Sequence, residues 1–256
     1  MGLDLYSGSL SKFYAREYET PQARFAKENN LPHQTLYAEG GGPLDREKAK
    51  QAISVFLKNL SEYFVQSNGE FTSWDETKDL YLTEQLHEEC FKALQVMCLS
   101  AYRKEDFVGA FDDAEKIDSF LSMKSREEYF ESGHAVLECQ LFVPGIHDQC
   151  TPADDGIGGR VIMTTTSNLR QILDMMNSKI WGNNAQPKKW FERGPVARGK
   201  VMEVKRGFLP WKKTVKEVDA VLPANPLMRN AEYAFGVFST LLSFAEKHHL
   251  PIRQDS

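Results

Sequence analysis

The chain has 256 residues, 41% of them apolar and 26% charged, which is enough to bury a core without disulfide staples and excludes extended disorder, collagen-like repeats and a coiled-coil rod. Thirty-one Lys and Arg against 36 Asp and Glu leave a formal charge of −5, so no whole-surface attraction to nucleic acid or anionic membrane is expected. No apolar run approaches the roughly 20 residues of a bilayer span, residues 1–12 carry Asp4 where a leader has basic residues, and Tyr6 stands where a myristoylation signal needs Ser or Thr. A cytoplasmic, unprocessed protein is expected.

In chain order, LDLYSGSL alternates Leu3 and Leu5 with Asp4 and Tyr6 before Gly8, predicting a short strand tied into a sheet. Residues 20–43 read as irregular connection with one helical turn near 22–28; Gly40-Gly41-Gly42 is no phosphate cradle, since no Lys-Ser or Lys-Thr follows. Asp45 caps an amphipathic helix carrying Ala49, Ile53, Phe56, Leu60 and Phe64, which ends near Asn68-Gly69. A second helix is predicted over 79–103, with Leu86, Cys90, Leu94 and Met97 on its apolar stripe. Residues 104–131 hold nine acids and four bases, a net of −5, in what reads as short helices and turns.

Residues 134–144 and 160–165 read as two strands, an antiparallel pair joined by a long loop with turn signals at Asp154-Asp155-Gly156 and Gly158-Gly159. A helix then runs from a cap at Thr166 or Ser167 to Gly182. Strands are predicted over 200–208 and 215–222, and Asn225 with Pro226 opens a long helix running to His248 and stopped by Pro251. The sum is an α+β fold, an antiparallel sheet of about five strands packed with about four amphipathic helices. It is read as a single domain over 1–256, with an alternative division into a mainly helical 1–131 and a sheet-containing 132–256.

Chemistry is harder to place. Cys90, Cys98, Cys139 and Cys150 form no C-x-x-C pair, so neither a zinc knuckle nor a dithiol redox centre is indicated; Cys90 and Cys98 read as small hydrophobes on a helix face. His134, His147, Asp154 and Asp155 would ligate a divalent metal if folded together, the basis of an alternative reading as a metal-dependent hydrolase or transferase acting on a phosphate-bearing substrate. Turn chemistry explains the same aspartates more simply. Glu84, His87 and Glu88 share a face of the predicted helix but depart from H-E-x-x-H, and G-x-S-x-G, Walker A and G-x-G-x-x-G are absent from the chain. No catalytic residue, metal or cofactor is assigned.

The most unusual stretch is 187–213, nine bases against two acids, a net of +7, interleaved with Trp190, Phe191, Phe208 and Trp211. Stacking rings beside cations suit single-stranded nucleic acid, which the overall charge disfavours; they equally suit a protein partner, or strands with solvated Lys on one face and aromatics in the core. The candidate partner-binding residues are Trp190, Arg193, Lys205, Arg206, Trp211 and Lys212 here and Asp112, Asp113 and Asp118 in the acidic segment.

The two ends carry a resemblance. Gly2, Leu3, Asp4, Leu5, Tyr6, Ser7 and Gly8, with Phe238, Leu242, Phe244, Ala245, Glu246, His249, Pro251 and Ile252, resemble a poorly characterised group of bacterial cytoplasmic proteins. Those proteins open with a GLDLYSG-type strand, close with an F-A-x-x-H-x-x-P-[IV] helix, and look like companions of polymorphic toxins. The likeness covers about a fifth of the chain and brings no catalytic residues. It implies an immunity protein, a cytoplasmic inhibitor whose partner is a cognate toxin protein, acting through either the acidic or the basic surface.

Overall fold

The computed structural model describes residues 2–32, 42–109, 113–155, 157, 159–196, 201–206, 213–218 and 225–255, with the backbone alone over 201–206 and 213–218. In chain order the elements are β1 (Gly2–Gly8), α1 (Leu10–Tyr14), α2 (Pro21–Glu28), α3 (Arg46–Gln66), β2 (Glu70–Phe71), β3 (Tyr81–His87), α4 (Glu88–Arg103), α5 (Ala114–Leu121), α6 (Arg126–Glu131) and α7 (His134–Leu137). The second half adds β4 (Leu141–Val143), β5 (Gly145–Ile146), β6 (Thr151–Asp154), β7 (Arg160–Thr165), α8 (Thr166–Trp181), α9 (Pro187–Arg193), β8 (Val201–Arg206), β9 (Lys213–Val218), α10 (Pro226–His248) and β10 (Ile252–Asp255). The fold is α+β. Six strands form the main sheet in the order β3-β1-β10-β4-β7-β6, while β2-β5 and β8-β9 are separate two-stranded pairs.

The two ends of the chain meet at the middle of that sheet. β1 pairs antiparallel with β3 on one side and with β10 on the other, in a register that sets Ser7 opposite Ile252. The N–H of Gly8 donates to the Pro251 carbonyl, so the residues that carry the family resemblance are neighbours in space. Helices cover both faces. Leu3 and Leu5 of β1 and Phe142 of β4 pack into one core with α4, α8, α9 and α10. Leu141 and Val143, on the opposite face of β4, join Val161 and Met163 of β7 in a second core closed by Ile53, Phe56, Leu60 and Phe64 of α3. Successive side chains of a strand point to opposite faces, so one three-residue strand serves both cores.

Most helix ends follow the caps read in the sequence, but α8 is capped by Thr165, which accepts from the Asn168 N–H, and not by the expected Thr166 or Ser167, which are already helical. Asp45 accepts from the Lys48 N–H, Asn225 from the Met228 N–H, and Gly182 closes α8 in the left-handed region at φ 56°. Inside α10, Gly236 has a packing reason: a Cβ there would lie 2.7 Å from the Pro187 carbonyl oxygen and 2.9 Å from the Phe191 nitrogen, both backbone atoms of α9. Ala in place of Gly ordinarily strengthens a helix interior by about 1 kcal/mol. Here Gly236→Ala is expected to destabilise by about 1–3 kcal/mol in urea unfolding, because α9 must back away; a gain in stability would show that α9 does not dock so closely.

Four expectations are corrected. Residues 81–87 are a strand, so the helix predicted from 79 begins only at Glu88, and Glu84 and His87 do not share a helix face with Glu88. Residues 134–137 form a turn of helix, leaving only 141–143 as strand, and that strand runs parallel, not antiparallel, to β7. β7's antiparallel partner on that side is β6. Finally, 187–193 is helical, and Trp190 is buried against Trp181 and Phe235 at ring-centroid distances of 4.9 and 5.9 Å, a core residue and not a surface anchor.

Candidate functional site

Four polar side chains converge where α4, α6 and α7 meet one face of the sheet. Gly133, at φ 81°, starts α7 with its Cα so close to Ile172 that a Cβ would sit 2.8 Å from Cδ1, which turns the chain sharply and buries His134. One helical turn on, Glu138 falls on the same side as His134, with His134 Nε2 3.3 Å from Glu138 Oε1. From α4, the buried Gln95 reaches both: its Nε2 lies 3.1 Å from Glu138 Oε1 and 3.1 Å from His134 Nε2. From α6, the Tyr129 hydroxyl donates to Glu138 Oε2 at 2.8 Å.

α6 is held in place by a buried fork. Arg103, at the end of α4, donates from Nε to Glu128 Oε1 at 2.6 Å and from Nη2 to Oε2 at 3.0 Å, and Ser125 caps the helix by accepting from the Glu128 N–H. Tyr129 follows Glu128 directly and is thereby presented to Glu138.

This cluster borders a pocket of about 440 Å³ whose wall includes Tyr129, Glu138, Phe91, Glu88, Gln140 and Gln254, with Leu3 and Ile162 as apolar floor. Burial is the largest influence on Glu138 and raises its carboxyl pKa, but hydrogen bonds from His134, Tyr129 and Gln95 outweigh it, so the group is held below its ordinary value and stays ionised. Burial first, and then the bond to Glu138, push the Tyr129 phenol up, so it remains a donor. Gln254, 5% exposed, uses its Nε2 on the Leu137 carbonyl and leaves Oε1 with no donor; His134 Nδ1 likewise meets no partner among the described residues.

Comparison with protein-family models, curated proteins and solved structures finds no match. The functional reading therefore rests on this geometry and on the residues at the two ends of the chain.

The His/Asp set does not assemble. His134 faces Glu138; His147 lies 3.3 Å from the Tyr63 hydroxyl; Asp155 accepts from the Tyr14 hydroxyl and from the Ile157 and Gly159 N–H groups. Asp155 thus shapes the loop between β6 and β7, and no group of three or more potential metal ligands occurs among the described residues. Of the partner-binding candidates, Asp113 caps α5 and pairs with Lys116, whose side chain lowers its pKa, while Asp118 bonds Lys92 at 2.8 Å. Arg193 pairs with Glu232. Lys205 and Arg206 lie on β8, and Asp112, Trp211 and Lys212 fall outside the described residues. Burial pushes the Cys90 and Cys98 thiols up to about 12, in keeping with inert packing roles.

The residues missed from sequence are Gln95, Tyr129, Glu138 and Gln254. The His134/Glu138 spacing of four was a usable signal, and a strand reading of the segment hid it. Gln95 and Gln254 carried none, because an amide becomes informative only once its partners are known.

No helix among the described residues is long and apolar enough to cross a membrane.

Proposed function

We propose that this chain is an immunity protein that binds and neutralises a toxin protein, and that its working surface is the acidic one. The observation that carries the sign is where the acidic charge sits: residues 88–138 hold twelve acids against six bases, a net of −6, in the stretch that carries α4, α5 and α6, which pack together. α5 lies along α4, with Asp118 and Glu88 meeting at Lys92, and α6 meets the far end of α4, where Tyr102 donates to Glu131. Glu89, Glu115, Glu127 and Glu131 are exposed around this assembly, and Glu138 lies in the pocket beside it. An inhibitor needs a stable scaffold and one complementary patch, and a toxin cleft built for phosphate would be basic. The +7 segment supports the rival sign less well, since Trp190, its candidate aromatic anchor, is buried in the core.

The test is binding to the protein encoded by the gene next to this chain's own. Glu115→Lys with Glu127→Lys is expected to weaken it about 10- to 100-fold, chiefly through slower association that steepens at low salt, whereas Lys188→Glu with Lys189→Glu leaves it within about twofold. Equal affinity in both pairs would overturn the electrostatic plug.

A further inference from the structure

We propose that the pocket between α4, α6 and the sheet is a guanidinium-binding site. Three features of its wall point the same way. Two acceptors of the wall keep unused capacity: Glu138 is an ionised carboxylate that still has about 41% of its side chain exposed, and the buried Oε1 of Gln254 has no donor among the described residues. An ionised carboxylate has about four lone-pair sites, so the three protein donors do not exhaust it. The carboxylate is fixed: Tyr129, Gln95 and His134 hold it in one orientation, so little freedom is lost when a ligand arrives. The remaining wall is aromatic and aliphatic, with Phe91 and Tyr129 beside Leu3 and Ile162.

A planar, weakly hydrated cation with five N–H donors on a short aliphatic stem fits acceptors set among rings better than a compact ammonium does. The volume of about 440 Å³ is in the range of small-molecule sites and takes the whole of an arginine-sized ligand. Glu88 at the rim, already engaged with Lys92, adds negative field without being needed as a direct contact. Two sources supply this chemistry, a free guanidinium compound or an arginine side chain of another protein, and the site stands on its own geometry whether or not the chain is a toxin inhibitor.

The experiment is titration of the full chain, followed by calorimetry and by amide chemical shifts, with agmatine, with N-acetyl-Gly-Arg-Gly-amide and with butylurea, the neutral analogue. Saturable binding of a guanidinium probe, with butylurea at least about 10-fold weaker, is the expected result. Agmatine binding with a silent peptide assigns a free ligand; peptide binding at least as tight assigns an arginine of a partner. Glu138→Gln is expected to cost at least about 10-fold in affinity, and Phe91→Ala, which leaves the polar cluster intact, serves if that variant fails to fold and is expected to cost about threefold or more. No binding of either guanidinium probe up to about 10 mM, or equal binding of butylurea, overturns the proposal.

Discussion

Replacing Arg103 with Met is expected to lower the unfolding free energy by about 3–5 kcal/mol, the cost of leaving one member of a buried ion pair without its partner. The two side chains are 7% and 8% exposed, and their two-pronged contact is supplemented by Nη1 donating to the Phe120 carbonyl, Nη2 donating to that of Ser122, and the Lys124 N–H donating to Glu128. Removing the guanidinium strands a carboxylate and two carbonyls at once. Arg103→Met with Glu128→Leu should recover much of the loss, because an apolar pair has no charge to desolvate, although the Lys124 N–H then lacks its acceptor. Acid offers a second readout. The Arg103 side chain, and after it the Lys124 N–H, hold the Glu128 carboxyl down at about 2. A folded pKa below the unfolded one, about 4.3, means that this contribution is complete above the unfolded value and drains away as pH falls toward 2. Urea unfolding between about pH 5 and pH 2 should therefore show a steeper decline in the parent than in Glu128→Gln. A loss below about 1 kcal/mol in Arg103→Met would mean that the fork is open to water.

Amphipathic spacing revealed α3, α8 and α10 because each presents one apolar stripe over several turns and begins at a side-chain cap, a signal that depends on no distant partner. The strands were harder, for a reason visible in β3. Leu82 and Leu86 are four apart, as on a helix, and equally they alternate with Thr83 and Gln85, as on a strand. What decides is that β1 offers a full-length partner from Gly2 to Gly8, which local spacing cannot report. Buried residues at every position from His134 to Leu137 and from Leu141 to Val143 erase alternation altogether, so the change from helical turn to strand within that run left no periodic mark. β10 is four residues long and follows a proline, yet it is where the chain's end closes on its beginning.

The site was less legible than the fold. Charge density marks 104–131 as acid-rich, since net charge can be counted without coordinates, and Glu105, Asp106, Glu115, Glu127 and Glu131 are exposed there. The aromatic content of the basic stretch was misleading, because Trp190 looks the same in a sequence whether its ring meets a partner or Phe235. Pocket walls assembled from β1, α4, α6, β7 and β10 draw on residues from Gly2 to Gln254 and have no local signature at all.

Phe142→Ala is expected to cost about 3–5 kcal/mol, a large part of the 5–15 kcal/mol that holds a typical domain together. Phe142 is fully buried on a strand flanked by β10 and β7, with Ile252 across from it on one side and Thr164 on the other. Helices close over its ring, so the space left by truncation cannot fill with solvent and collapses only by moving α8 or α10. Val65→Ala, at a position 77% exposed on α3, should stay within about 0.5 kcal/mol and controls for any general effect of substitution. Because Phe142 and Ile252 face each other in register, Phe142→Ala with Ile252→Val should be non-additive by about 0.5–3 kcal/mol, whereas Phe142→Ala with Val65→Ala should add. The same lesion reaches the pocket: Gln140, two residues earlier, accepts from the Gln254 N–H through its carbonyl and from the Ile162 N–H through its side chain. Loss of stability without any change in guanidinium affinity would show that the central strand supports the fold and not the site. A loss below about 1 kcal/mol would place Phe142 outside the core and undo the sheet order that joins the two ends of the chain.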